Sequence, residues 1–254
     1  MRRALVLLLL LLAACEPEAT PLPVSLPTST SSPAPPPPIR YGLVNPDLLA
    51  AIIPANNPPQ IETITDPSAT DLLGAQFDII IAPGSWQEAT PTPIEIQVGL
   101  VINSELYPLD DPALRLIISD LVRHDSITAD LDIPGIRVTP IATSDLRTLR
   151  TRLANAGWPD GFDLIVVLAD LPGRTPLVDR FTSAGLQIQQ ARDFAWDSTH
   201  LALIRWIGDS PPADWTRADI VTLYSLPVSY QAIPELDITF SPTGWPLARW
   251  QAAP

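Results

Sequence analysis

The chain has 254 residues, of which 46% are hydrophobic and 17% charged, with 31 prolines and a formal net charge of −13. Every basic residue is arginine, and the acidic excess repels phosphate backbones and anionic lipid surfaces, which argues against nucleic-acid binding. The single cysteine, Cys15, excludes an intrachain disulfide. Met1-Arg2-Arg3 followed by an apolar run from Ala4 to Ala14 reads as a secretory signal peptide over residues 1–14. That run is shorter than the roughly 20 apolar residues a permanent spanning helix needs. Its removal takes Arg2 and Arg3 with it, so −13 becomes −15. Residues 15–38 are rich in Pro, Ser and Thr and end in Pro35-Pro36-Pro37-Pro38, a semi-extended tether that cannot build a core. The body then runs from about Ile39 to Pro254, enough for one domain or two small lobes.

Within the body, short apolar runs bounded by turn residues predict strands at 60–64 and 77–82, and a longer β-rich run covers 94–103. Asp110-Asp111-Pro112 is a helix start, and Leu114, Ile117, Ile118, Leu121 and Val122 form one apolar face after it. A second helix over about 144–156 presents Leu146, Leu149 and Leu153. Gly157 falls where a left-handed cap is wanted, and Pro159-Asp160-Gly161 is turn chemistry leading into a strand at 163–168. Thr175-Pro176 caps a third helix that ends near Gly185. Strands follow at 186–190, 201–206 and 220–223, with β-like sequence through Phe240. Strand and helix in alternation predict an α/β fold with a mostly parallel sheet.

Several segments carry a resemblance. Leu12-Ala13-Ala14-Cys15 resembles the lipobox of bacterial lipoproteins, which implies cleavage before Cys15 and lipidation of its thiol. An unmodified thiol in an oxidising compartment is a liability that lipidation removes. The turn Asn155-Ala156-Gly157-Trp158-Pro159-Asp160-Gly161-Phe162 is similar to one in extracytoplasmic solute-binding proteins of the peptide/nickel family of ABC importers. The passage from Val101 to Leu116, with Asn103, Pro108, Leu109, Asp110, Asp111 and Arg115, resembles the same family's crossing strand and following helix. Its continuation from Ile118 to Ile127 has Arg123-His124-Asp125-Ser126 where that family has Asp-Arg-Glu. His200 to Pro212 resembles its Gly-Trp strand and loop, and Val221 to Trp245 its late strand and closing loop. The four matches occur in order over most of residues 95–250. The chain departs from the family in length. The N-terminal part of the first lobe has no counterpart before Ile39. The long helical stretch between the Gly-Trp loop and the late strand is also missing, with Asp209 and Tyr224 only 224 − 209 = 15 positions apart.

The resemblance implies a two-lobed, type II periplasmic-binding-protein-like clamshell of reduced size. Lobe one would be 39–98 plus 208–254 and lobe two 99–207, with a small-molecule or peptide solute held between them. It also implies an ABC permease as partner and a lipid anchor at Cys15. The protein would act as a monomer on the extracytoplasmic side of the cell membrane. Family members pair a loop aspartate with the ligand's α-amino group, a role that falls on Asp209; the alternative is an aspartate closing its own turn. Trp206 lines the cleft or packs in the core, and Asn103 meets ligand or hinge backbone. Trp86 lies in a strand-end loop, while Tyr224, Tyr230 and Trp245 offer aromatic walls or core packing. A relic of this fold serving as a structural or regulatory envelope lipoprotein is the competing reading.

Nothing in the sequence predicts catalysis, a cofactor or a metal. The two histidines, His124 and His200, share no zinc-ligand spacing, and there is no Gly-x-Ser-x-Gly elbow or phosphate-binding glycine loop. Asp110 and Asp111 read as helix caps.

Overall fold

A computed structural model describes residues 35–54, 60–65, 70–129, 131–139 and 144–251. The signal peptide, Cys15 and the tether up to residue 34 lie outside the described residues; 35–38 are exposed chain without regular structure. From Pro38 onward the body is one compact unit.

The strands are β1 (Tyr41–Val44), β2 (Ile61–Ile64), β3 (Ile79–Pro83), β4 (Thr90–Ile102), β5 (Arg137–Val138), β6 (Asp163–Leu168), β7 (Gln187–Gln190), β8 (Leu201–Ile207), β9 (Asp219–Ala232), β10 (Leu236–Phe240) and β11 (Pro246–Trp250). The helices are α1 (Pro46–Leu49), α2 (Pro112–Val122), α3 (Leu146–Asn155) and α4 (Arg174–Ala184). One sheet runs in the order β2-β1-β3-β9-β4-β8-β6-β7, with β5 on the free part of the β9 edge; β10 and β11 form a separate hairpin.

The fold is α/β, as the alternation predicts, but the sheet is mixed rather than mostly parallel. Parallel pairing occurs at β1–β2, β1–β3, β6–β7 and β6–β8, while β3–β9, β9–β4 and β4–β8 are antiparallel. Two of the parallel pairs, β1–α1–β2 and β6–α4–β7, are strands joined through a helix, which is the connection parallel pairing favours. The centre instead consists of two long strands lying side by side. Their register slips between Pro91 and Glu95 and again between Val98 and Gly99. Pro227 sits opposite Glu95 at the first slip, where a residue without an N–H is tolerated.

Local chemistry explains the helix ends. Asp111 Oδ1 accepts from Ala113 N at 2.8 Å at the start of α2, and Asp145 Oδ1 accepts from Thr148 N at 2.7 Å at the start of α3. At the end of α3, Trp158 N donates to Leu153 O and Gly157 N to Ala154 O, the paired bonds of a Schellman motif. Gly157 has φ +91° with open space where a Cβ would stand, so backbone conformation alone calls for glycine there. The start of α4 differs from expectation: Gly173 occupies the cap, with φ +88°, rather than Thr175. The helix ends at Gly185 as predicted.

The two faces of the sheet are covered differently. One carries Ile79, Ile81, Ile96, Val98, Leu100, Ile102, Leu164, Val166, Leu201 and Leu203. Every buried apolar residue of α1 to α4 packs into that same cluster. The opposite face is covered by loops. Val44, Ile64, Phe77, Ile80 and Ala82 form a small second cluster there. Val101, Ala202 and Trp206 are buried outside both clusters. Among the described residues, no helix is long and apolar enough to cross a membrane.

Candidate functional site

Strand pairing fixes which candidate residues share a face. Trp206 on β8 stands opposite Gln97 on β4, and Gln97 stands opposite Ser225 on β9. These three lie on the loop-covered face. Gly99 shares it, and a Cβ there would stand 2.9 Å from the Trp206 six-membered ring and 2.8 Å from Val221 O. The indole is thus laid against bare backbone, which is why glycine is needed at the centre of β4. Trp206 is 5% exposed, and its Nε1 is the one enclosed side-chain polar atom without a partner among the described residues. An enclosed donor left unmade costs about 1–3 kcal/mol.

β8 and β9 are both antiparallel to β4, so they run parallel to each other on either side of it. The connection between them, residues 208–218, must return along the length of the strands. It contains one 3-10 turn, Ala213–Trp215. Asp209 lies at its beginning and is exposed. At its other end Trp215 packs edge-on against Phe194 at 4.6 Å and tilted against Trp196 at 5.7 Å between ring centres. Phe194 and Trp196 stack edge-on at 5.0 Å. This half-exposed aromatic group closes the end of the sheet beside Asn103.

Asn103 is fully buried and fully used. Its Nδ2 donates to Trp196 O at 2.8 Å and Thr199 O at 2.9 Å, while its Oδ1 accepts from Glu105 N at 3.2 Å. It therefore ties the end of β4 to the loop before β8. Tyr224 stands opposite Val98 and so points to the helix-covered face, away from Trp206. It is buried, its hydroxyl donates to Pro172 O at 2.8 Å, and burial pushes the phenol well above its ordinary range. Trp86 packs beside the second cluster after β3, with Nε1 donating to Pro83 O at 2.7 Å. Tyr230 meets Phe240 edge-on, and fully buried Trp245 stacks on Tyr41.

The fold thus brings Trp206 and Asp209 to the same end of β8, keeps Trp86 on their face, sets Asn103 past the far end of β4 and turns Tyr224 to the other face. It also adds residues not singled out from sequence. Gln97 stands beside Trp206 and Ser225 one strand further on by register, and Glu95 pairs with Arg137 of β5 at 2.7 Å on the same stretch of sheet. The alternation Ile94-Glu95-Ile96-Gln97-Val98 is the signal that marks Glu95 and Gln97 as facing away from the core.

His200 is structural. Its Nδ1 accepts from Ile165 N at 2.9 Å, so Nε2 carries the proton and donates to Tyr107 O at 3.1 Å. Burial lowers its pKa and holds the ring neutral. His124 caps the 3-10 turn after α2, with Nδ1 accepting from Ser126 N at 3.1 Å. Among the described residues no three His, Cys, Asp or Glu side chains converge as metal ligands. Two open grooves lie away from Trp206: one of about 480 Å³ beside α4 and one of about 310 Å³ beside α2.

No family model matches the sequence, and no curated protein matches it. Solved structures do. HbpA2 from Haemophilus parasuis aligns at a TM-score of 0.47 with 10% identity, covering 69% of this chain and 50% of that one. A dipeptide-binding protein from Pseudoalteromonas in complex with Met-Leu aligns at 0.46 with 13% identity, covering 74% and 54%. NikZ from Campylobacter jejuni in complex with Ni(L-His) aligns at 0.45 with 14% identity, covering 70% and 56%. The chain spans about half the length of the solved structures it matches.

Proposed function

We propose that this chain is the extracytoplasmic solute-binding component of an ABC importer, anchored to the membrane by lipid on Cys15. It captures a small, peptide-like solute between lobes 39–98 plus 208–254 and 99–207, and acts without chemistry of its own. The observation that carries the reading is the ordered series of family-like motifs from Asn103 to Trp245 behind a lipobox. Asp209 suits the role the resemblance gives it because its carboxylate is exposed and a ligand ammonium can reach it.

The test is thermal unfolding of the full-length protein in detergent, with short peptides, metal ions, sugars and amino acids as probes. A ligand at 100 times its dissociation constant adds about 2.7 kcal/mol to folded stability. A shift with one solute class identifies the cargo, and Asp209→Asn then weakens that ligand about tenfold or more. Unchanged affinity in that variant removes Asp209 from the site.

One observation favours a second reading, a structural or regulatory envelope lipoprotein without a small ligand. Asn103, Tyr224 and Trp86 all commit their hydrogen-bond donors to backbone carbonyls of the chain itself. A cooperative melt that no probe moves supports that reading over solute capture.

A further inference from the structure

The groove beside α4 holds two opposite charges that form no ion pair among the described residues. Its walls are Ser126, Leu146, Thr175, Pro176, Asp179, Arg180 and Ser183, and its volume is about 480 Å³. Arg180 is 7% exposed, an unusual burial for a cation that lacks a carboxylate partner. Its Nε donates to Leu121 O at 2.8 Å, in the last turn of α2, and Nη2 reaches Ser144 O at 3.5 Å. Those bonds fix the guanidinium in place, and among the described residues Nη1 has no hydrogen-bond partner. Arg180 is one of the residues that line the groove. Asp125 is the carboxylate that acts on its charge, but it stands outside the 4.0 Å of an ion pair.

Asp179 supplies the complementary charge. It lies on the same stripe of α4 as Thr175 and Ser183, at helical spacings of four, so the three line one wall. It is exposed, and neither it nor Arg180 takes part in any of the ion pairs within 4.0 Å found among the described residues. Adjacent residues on a helix point about 100° apart, so the two charges flank the groove rather than neutralise each other. Leu146 and Pro176 add apolar wall, and Ser126, Thr175 and Ser183 add hydroxyls. The volume falls in the range of about 300–1,000 Å³ typical of small-molecule sites.

We propose that this groove is a second ligand site, separate from the Trp206–Asp209 end of the sheet, and that it binds a free zwitterionic amino acid with an apolar side chain. The carboxylate docks on Arg180, the ammonium on Asp179, and the side chain lies against Leu146 and Pro176. Phosphate and dicarboxylates are disfavoured because Asp179 repels the additional negative charge.

Calorimetric titration of the full-length protein in detergent with L-leucine tests the site. The expected result is saturable binding that weakens about tenfold or more when the carboxylate is blocked, as in L-leucinamide, or the ammonium is blocked, as in N-acetyl-L-leucine. Asp179→Asn weakens leucine by a similar factor but leaves N-acetyl-L-leucine unchanged, because that ligand has no ammonium for Asp179 to hold. Arg180→Lys weakens leucine while keeping the charge, since a lysine cannot reproduce the planar fork. If Arg180→Lys fails to fold, Asp179→Asn decides alone, because Asp179 is exposed and makes no hydrogen bond or ion pair among the described residues. Absence of saturable leucine binding overturns the proposal, as does undiminished leucine affinity in Asp179→Asn. Neither outcome touches the role proposed for Asp209, which is read from the Asp209→Asn variant; a leucine response that Asp179→Asn abolishes and Asp209→Asn leaves intact belongs to the groove.

Discussion

The two faces of the central sheet are stabilised by different physics. The helix-covered face is a continuous apolar contact between strands and four helices, in which Phe181, Leu149, Ile118 and Leu100 are almost wholly enclosed. Such packing is non-directional and tolerates change as long as volume is kept. The loop-covered face depends on placed polar groups. Asn103 holds two loop carbonyls, Ser229 Oγ donates to Gly84 O, and Asp78 takes the Arg40 backbone N at 2.8 Å and its guanidinium at 2.7 Å. A face built from hydrogen-bonded loops can be reshaped for binding, but each bond depends on one residue type. The comparison teaches that the helices make the body stable, whereas the loops determine what it presents.

Variants on each face sharpen that contrast. The largest expected loss is Phe181→Ala on the helix-covered face, about 3–5 kcal/mol in urea unfolding, because an aromatic side chain 1% exposed leaves a cavity. A loss under about 1 kcal/mol would mean the helical layer is loosely packed. Asn103→Ala on the opposite face is expected to lose about 2–3 kcal/mol despite removing little volume, since it strands the carbonyls of Trp196 and Thr199. Asn103→Asp, which keeps the shape but not the two donors, should be no better. A near-neutral Asn103→Ala would break the claim that polar bonds carry this face.

Next comes pH. Burial lowers the pKa of His200; burial and then Arg180 lower that of His124. Between the depressed folded value and the ordinary histidine value of about 6.5, the unfolded chain binds more protons, so stability rises with pH. It is fully present above about pH 6.5 and falls as the solution is acidified through that window. The carboxylates follow later: Asp78, held low chiefly by its bond to Arg40, and Asp145, held low by the Thr148 backbone N–H, lose their contribution below about pH 4. Denaturation midpoints measured from pH 8 to pH 5 in the native chain and in His200→Gln check the first window, and an identical slope in both excludes His200 as a source. The smallest effect belongs to Trp206→Phe, which removes an unpartnered indole N–H while keeping a ring over Gly99. It is expected to change stability by no more than about 1 kcal/mol, in either direction. A loss well beyond that would show that Nε1 has a partner.

The sequence by itself determined those features that depend on neighbours along the chain. The Asp111-Pro112 start of α2, the Gly157 end of α3, strand β6 at Asp163–Leu168 and the Gly185 end of α4 all follow from caps, turns and periodicity, which act within a few residues. The apolar stripe of α2 is buried as its spacing predicts. Tertiary structure decided the rest. β1 and α1 were not singled out from the sequence, and Asn45 enters α1 in the left-handed region at φ +51°. β9 extends through Ala232 past Pro227, which reads as a strand breaker until β4 supplies a register slip to accommodate it. The antiparallel centre was hidden for the same reason: strand direction is a property of pairs, and helix–strand alternation does not set it. Of the candidate site, the adjacency of Trp206 and Asp209 was visible because they share a strand end. Tyr224 faces away from Trp206 because strand parity and the bulge beside Leu223 set its direction, and a bulge exists only once two strands are paired. The unpaired Arg180 and Asp179 look like ordinary surface charges in the sequence. Only the packing of α4 against α2 and the approach to α3 encloses the one, exposes the other and leaves a groove between them.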